Sequence, residues 1–85
     1  MHDSYLVRTE TIRMLERMKD TRGTGVLITA LNDYDPTVRF YSAVALGEIG
    51  GSKALGYLNE RYLKEDVLKV KTALKESIDK IKGFE

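Results

Sequence analysis

A short motif recurs along this chain at an almost constant spacing. Val7-Arg8, Val38-Arg39 and Val70-Lys71 lie 31 and 32 residues apart. Downstream of each pair the register holds. Leu15, Leu46 and Ile78 correspond, as do Met18, Ile49 and Ile81, and as do Thr11, Ser42 and Leu74. Between the copies Leu27 matches Leu58, and Leu31 matches Tyr62. A repeat this short cannot bury its own apolar face. It needs neighbouring copies stacked against it, so the period alone points to a layered, repetitive fold.

Each Val-Arg segment reads as a helix. In the middle copy positions 38, 42, 45, 46 and 49 are apolar or small, which is one stripe of an α-helix. Asp35 is suited to cap its N-terminus. Pro36 follows at the first helical position, where a missing N–H costs nothing. Gly50-Gly51 ends it, because glycine accepts the left-handed conformation beyond a helix. Ser52 can cap the next helix, with Leu55, Leu58 and Tyr62 on its buried side. Asp66 and Gly83 bound the last helix, whose stripe is Val67, Val70, Leu74, Ile78 and Ile81. Asp3 or Ser4 starts the first.

Five helices result: about 3–19, 24–32, 35–50, 52–64 and 66–82, within one domain spanning 1–85. No strand pattern competes. The connections are short, which implies antiparallel neighbours and stacked helical hairpins.

Asp33-Tyr34-Asp35-Pro36-Thr37-Val38-Arg39, followed by Ala43, Ala45-Leu46-Gly47 and Ile49-Gly50, resembles a HEAT repeat. It is most similar to the short type also found in phycobilisome lyases and many small prokaryotic proteins. The outer copies are degraded matches. The resemblance implies an all-α fold, an α-α superhelix of about two and a half repeats. It also implies that the Val-Arg helices (3–19, 35–50 and 66–82) form the inner, concave wall and the other two lie outside, the last helix acting as a cap. The resemblance implies that the Asp and the Val-Arg arginine of successive repeats tie neighbouring loops together, a ladder that Arg8, Arg39 and Lys71 would carry. Lys71 lacks the bidentate fork of arginine.

The repeat equivalence predicts the exposed stripe of each inner helix. These are Leu6, Thr9, Arg13 and Arg17; then Thr37, Phe40, Val44 and Glu48; then Lys69, Thr72, Glu76 and Lys80. Phe40 and Val44 stand where the flanking copies are polar. An apolar centre with a polar rim is the layout of a protein-binding hot spot. The expected partner site is therefore Phe40 and Val44, surrounded by Thr37, Glu48, Arg13, Arg17, Thr9 and Thr72. A plainer reading stands beside it: Phe40 and Val44 pack locally against Leu6 or the stem of Lys69, and Tyr41 fills core volume beside Ser42 and Ala45.

Composition narrows the remaining classes. Lys+Arg is 14 and Asp+Glu is 13, a net charge of +1, so no strong field draws the chain to nucleic acid or an anionic membrane. Arg8, Arg13, Arg17 and Arg22 could form a basic end, but Glu10, Glu16 and Asp20 are interleaved with them. Cysteine is absent and His2 is the one histidine, beside the terminus and read as a mobile end residue. Neither a nucleophile–base pair nor a metal set can be drawn. One class of HEAT-like enzyme uses His-Glu pairs on its repeats, and none is present here. Met1 reads as the initiator, and Met14 and Met18 as core filling. Gly23, Gly25 and the stretch from Gly47 to Gly51 read as helix punctuation. The expectation is a cytoplasmic scaffold or protein-interaction module. It needs no cofactor and is not an enzyme. It binds a partner protein on its concave face, with no membrane and no nucleic acid. The alternatives are self-assembly, burying Phe40, Val44 or a Tyr5/Ile12 side, and an accessory nucleic-acid-binding role.

Overall fold

A computed structural model describes residues 4–49 and 51–83. Asp3 and His2, and Gly50 of the glycine pair, lie outside the described residues. Five α-helices follow one another: α1 (Tyr5–Met18), α2 (Thr24–Ala30), α3 (Pro36–Ile49), α4 (Gly51–Lys64) and α5 (Leu68–Lys82). A 3-10 turn, Thr21–Gly23, precedes α2, with the Asp20 side chain accepting the Arg22 N–H. Among the described residues there is no strand. The fold is all-α.

The punctuation is local chemistry. Ser4 caps α1, its Oγ accepting the Val7 N–H, and Lys19 closes that helix in the left-handed region at φ 51°. The Asp35 carboxylate accepts the Thr37 N–H at 2.8 Å at the start of α3. Gly51 takes φ +60° where the chain turns from α3 into α4. The start of α5 differs from expectation. It begins at Leu68 behind Val67, which provides no side-chain cap, and Asp66 does not cap it. Glu65 instead braces the chain just ahead of the helix, its Oε2 accepting the Val67 N–H at 3.1 Å.

The helix α3 packs against all four of the others. The helices α1, α3 and α5 form one layer and α2 and α4 the other, in a slab only 17 Å across its thinnest axis. The core is Ile12, Leu27, Leu31, Val38, Leu46, Leu58, Val70, Leu74 and Ile78, with small residues between them. Burial at 38, 42, 45 and 46 matches the apolar stripe of the middle copy, and α3 adds Arg39 and Ala43 because it has neighbours on more sides.

The first helix departs from the register of the other two. Its buried residues are Thr9 and Ile12, while Leu15 is half-buried on the core and against Gly23. Thr9, expected on the open stripe, is only 9% exposed. Ile12, expected to share a bare face with Tyr5, is 2% exposed. Met14 and Met18 are exposed and fill no core. The cause is topological. The helix α5 is covered by an inner neighbour and an outer helix, and α3 by two of each. Among the described residues α3 is the main neighbour of α1, with Gly23 of the 3-10 turn against Leu15, so the burial of α1 follows chiefly the α3 side.

Gly47 is not punctuation. It lies inside α3, and a Cβ there would sit 2.5 Å from the Ser77 Oγ and 3.1 Å from the Ser77 Cα. The helices α3 and α5 touch at this point. The Ser77 hydroxyl donates to the Ala43 carbonyl at 2.6 Å, so the close approach is also hydrogen-bonded.

Candidate functional site

Three sets of contacts cross the layer formed by α1, α3 and α5 and its adjoining loops. The first runs along the loops. The Arg8 guanidinium donates to both oxygens of Asp33, Nε at 2.7 Å and Nη2 at 3.0 Å. Thirty-one residues later, Arg39 grips Glu65 in the same fork, at 2.8 and 2.9 Å. Arg39 also donates to the Asp33 carbonyl, and Arg61 adds a bond to Glu65 at 3.1 Å. Lys71 has no such fork and donates to the Tyr62 carbonyl at 2.9 Å. Arg8 and Arg39 thus tie repeats together as expected, but only Arg8 does so through an aspartate; the partner of Arg39 is Glu65 and not an aspartate.

The acidic partners were less visible in the sequence. Asp33 and Glu65 sit 32 residues apart, and each also accepts the backbone N–H two residues on. Burial pushes the Glu65 carboxyl upward. The Arg39 fork, the Val67 N–H and the charge of Arg61 outweigh it and hold the group below the ordinary glutamate range. Asp33 shows the same balance, with Arg8 and the Asp35 N–H opposing its burial. These groups join repeats. They are saturated with partners and leave little capacity for a ligand.

The second set crosses the expected concave face. Arg13 of α1 lies over the Tyr41 ring at 5.2 Å from its centroid. Tyr41 meets Phe40 edge-on at 5.1 Å. Lys69 of α5 stands over Phe40 at 4.8 Å. Cation, ring, ring and cation thus bridge three helices. The third set lies toward the other end of the helices, where Glu48 pairs with Lys19 at 3.4 Å and with Lys80. The hydrogen bond from Lys80 pulls the Glu48 carboxyl below its ordinary range, with Lys19 adding to it.

Between the aromatic bridge and the Glu48 bridge, α3 and α5 enclose an open trough. Its widest section is about 390 Å³ and is lined by Phe40, Val44, Leu68, Lys69, Thr72 and Glu76. A smaller section continues toward Glu48 and Lys80. Phe40 and Val44 are both half-buried against the core while their remaining surface lines this trough. Local packing and an accessible wall are therefore combined in the same two residues. Thr72 is exposed on the opposite wall, and Thr37 lies at the neighbouring end beside Phe40.

Other expected residues are placed elsewhere. Thr9 is buried, and its Oγ1 has no hydrogen-bond partner. Arg13 reaches the face only through Tyr41. Arg17 turns to Glu10, 3.6 Å away, at the edge of the layer. Leu68 was missed by sequence reasoning, although it is 77% exposed at the rim. Its place in the first turn of α5 becomes visible only once the helix is known to start there and not at Asp66.

Among the described residues, no group of three or more His, Cys, Asp or Glu side chains is placed to hold a metal ion. Among them too, no helix is long and apolar enough to cross a membrane.

Comparison with known proteins adds two findings. The family model for HEAT repeats matches residues 1–79. Deoxyhypusine hydroxylase of Rattus norvegicus is 38% identical over 69 residues, which is 79% of this chain and 22% of that protein. No solved structure matches the chain. The hydroxylase match corrects one expectation from the sequence. The sequence offers no nucleophile–base pair, no metal set and no His-Glu pair, and on that ground the chain is expected not to be an enzyme. A stretch this similar occurs within a named enzyme, so that exclusion does not stand.

Proposed function

The chain belongs to the HEAT repeat family, and from that membership we propose a helical repeat module that binds a partner protein in the trough between α3 and α5. The observation that carries this reading is the trough itself. Its walls are Phe40 and Val44 on one side and Lys69, Thr72 and Glu76 on the other, with Leu68 exposed at the rim. An apolar floor ringed by charged and hydroxyl groups is the anatomy of a protein-binding surface. The groups that line it are preorganised. Tyr41 and Lys69 hold Phe40, and the Ser77–Ala43 bond sets the distance between the helices. A surface ordered before binding loses less entropy on association.

A side chain inserted beside Phe40 and Leu68 would supply most of the affinity, and Lys69, Thr72 and Glu76 the orientation. Burying the open part of one such residue contributes on the order of 1–2 kcal/mol. The trough is short, so it fits a helical turn or an extended segment better than a broad domain face. A reducing, cytoplasmic setting fits a chain held by packing and ion pairs with no cysteine.

The test is a selection of binding peptides on the wild-type chain, followed by titration of Leu68→Glu and Phe40→Glu. Leu68 is exposed, so Leu68→Glu should keep the circular dichroism spectrum while weakening binding at least tenfold. Peptides that bind both variants as tightly as wild type would place recognition on another surface.

A further inference from the structure

The face of α1 that would meet an outer helix is bare among the described residues. By the repeat register, Val7, Thr11, Met14 and Met18 correspond to Val38, Ser42, Ala45 and Ile49 of α3. In α3 the first three of these are buried and the fourth is half-buried, and α2 packs on that helix. The same positions of α5 are Val70, Leu74, Ser77 and Ile81, and α4 packs there. In α1, by contrast, Val7 is 55% exposed, Met14 47% and Met18 60%. Beside Val7 and Thr11, at one end of this face, runs a groove of about 660 Å³, edged on the far side by Val26, Thr29 and Tyr34.

We propose that this face is a dimer interface, in which α1 of a second copy lies antiparallel along Val7, Thr11, Met14 and Met18. The spacing of these four residues is four, three, four, the seam of a two-stranded coiled coil. A twofold axis between positions 11 and 14 sets Val7 against Met18 of the partner subunit and Thr11 against Met14 of the partner subunit. Each large side chain then meets a smaller one.

The flank of the seam selects the occupant. Glu10 and Arg17 each follow a seam residue by three positions, so they lie on one side of it, seven residues apart. Across an antiparallel twofold, Glu10 faces Arg17 of the partner subunit, and Arg17 faces Glu10 of the partner subunit. The opposite-charge pair is thus made twice in the dimer. A parallel pairing would align neither. Within one chain Glu10 and Arg17 are 3.6 Å apart and both mostly exposed, a weak pair that can be exchanged for the intermolecular one. The surface is thus self-complementary, as a twofold contact requires. This interface is distinct from the trough between α3 and α5.

Sedimentation velocity from low to high micromolar concentration tests the proposal. The wild-type chain should pass from monomer to dimer. Met14→Glu should remain monomeric with an unchanged circular dichroism spectrum, because Met14 is exposed in the single chain. Glu10→Arg and Arg17→Glu each place like charges across the axis and should each weaken the dimer about tenfold. An equimolar mixture of these two variants restores opposite charges at both positions and should dimerise at least as tightly as wild type. A wild-type chain that stays monomeric throughout would overturn the proposal. So would a dimer that Phe40→Glu dissociates and the charge variants leave intact, since that dimer would use the trough.

Discussion

Glu65 has more partners than any other side chain described above. It accepts from Arg39 twice, from Arg61 and from the Val67 N–H, and its side chain is fully buried. Removing one member of a buried pair leaves the other charge uncompensated. Glu65→Ala should therefore cost about 3–5 kcal/mol in urea-unfolding stability. Arg39→Lys should cost less, because the charge remains and only the fork is lost. The pH dependence follows in sign. Glu65 and Asp33 both titrate below their ordinary values in the folded chain, so the folded state holds fewer protons than the unfolded state in that range. Their contribution is complete above the ordinary carboxylate values of about 4 and is lost as pH falls through the folded values. The urea midpoint should fall as pH is lowered through that window, and Glu65→Gln should flatten the fall. Sequence reading found the arginines of this network but not Glu65. Adjacent Asp66 looked like the better cap, and only the 32-residue offset from Asp33 distinguishes the two. Thr9 was misread for a related reason. Equivalence by register assumes that every copy has the same neighbours, and α1 does not.

At the scale of elements, the helices themselves were plain in the sequence. The Val-Arg period, Asp35-Pro36 and the apolar stripe locate α3, and the matched leucines locate α2 and α4. What the pattern did not disclose was how closely α3 and α5 approach. Gly47 resembled a terminator because other glycines follow it nearby. The structure gives it a packing role instead. Gly47→Ala should gain about 1 kcal/mol of helix propensity and lose more to overpacking against the fixed Ser77 backbone. The net loss should be on the order of 1–2 kcal/mol by thermal or urea unfolding. Ser77→Ala should also destabilise, by leaving the buried Ala43 carbonyl without this bond. The trough was legible only as a pair of residues. Phe40 and Val44 stood out from polar neighbours, but the opposing wall depends on where α5 begins.

Across the whole molecule, α3 touches every other helix and α1 has one substantial neighbour. Amide hydrogen exchange should therefore be slowest in α3 and fastest in α1, with α1 gaining protection as protein concentration rises. The two lateral seams also differ in kind. The one between α3 and α5 is locked by the Gly47–Ser77 approach, the Ser77 hydroxyl and the Glu48–Lys80 pair. The one between α1 and α3 buries a threonine hydroxyl that bonds to nothing. The seam between α1 and α3 is also crossed by side chains, Arg13 over Tyr41 and Lys19 to Glu48, but the seam between α3 and α5 is set where glycine meets serine backbone. The width of the trough follows from that one approach, like the gap of a fixed wrench.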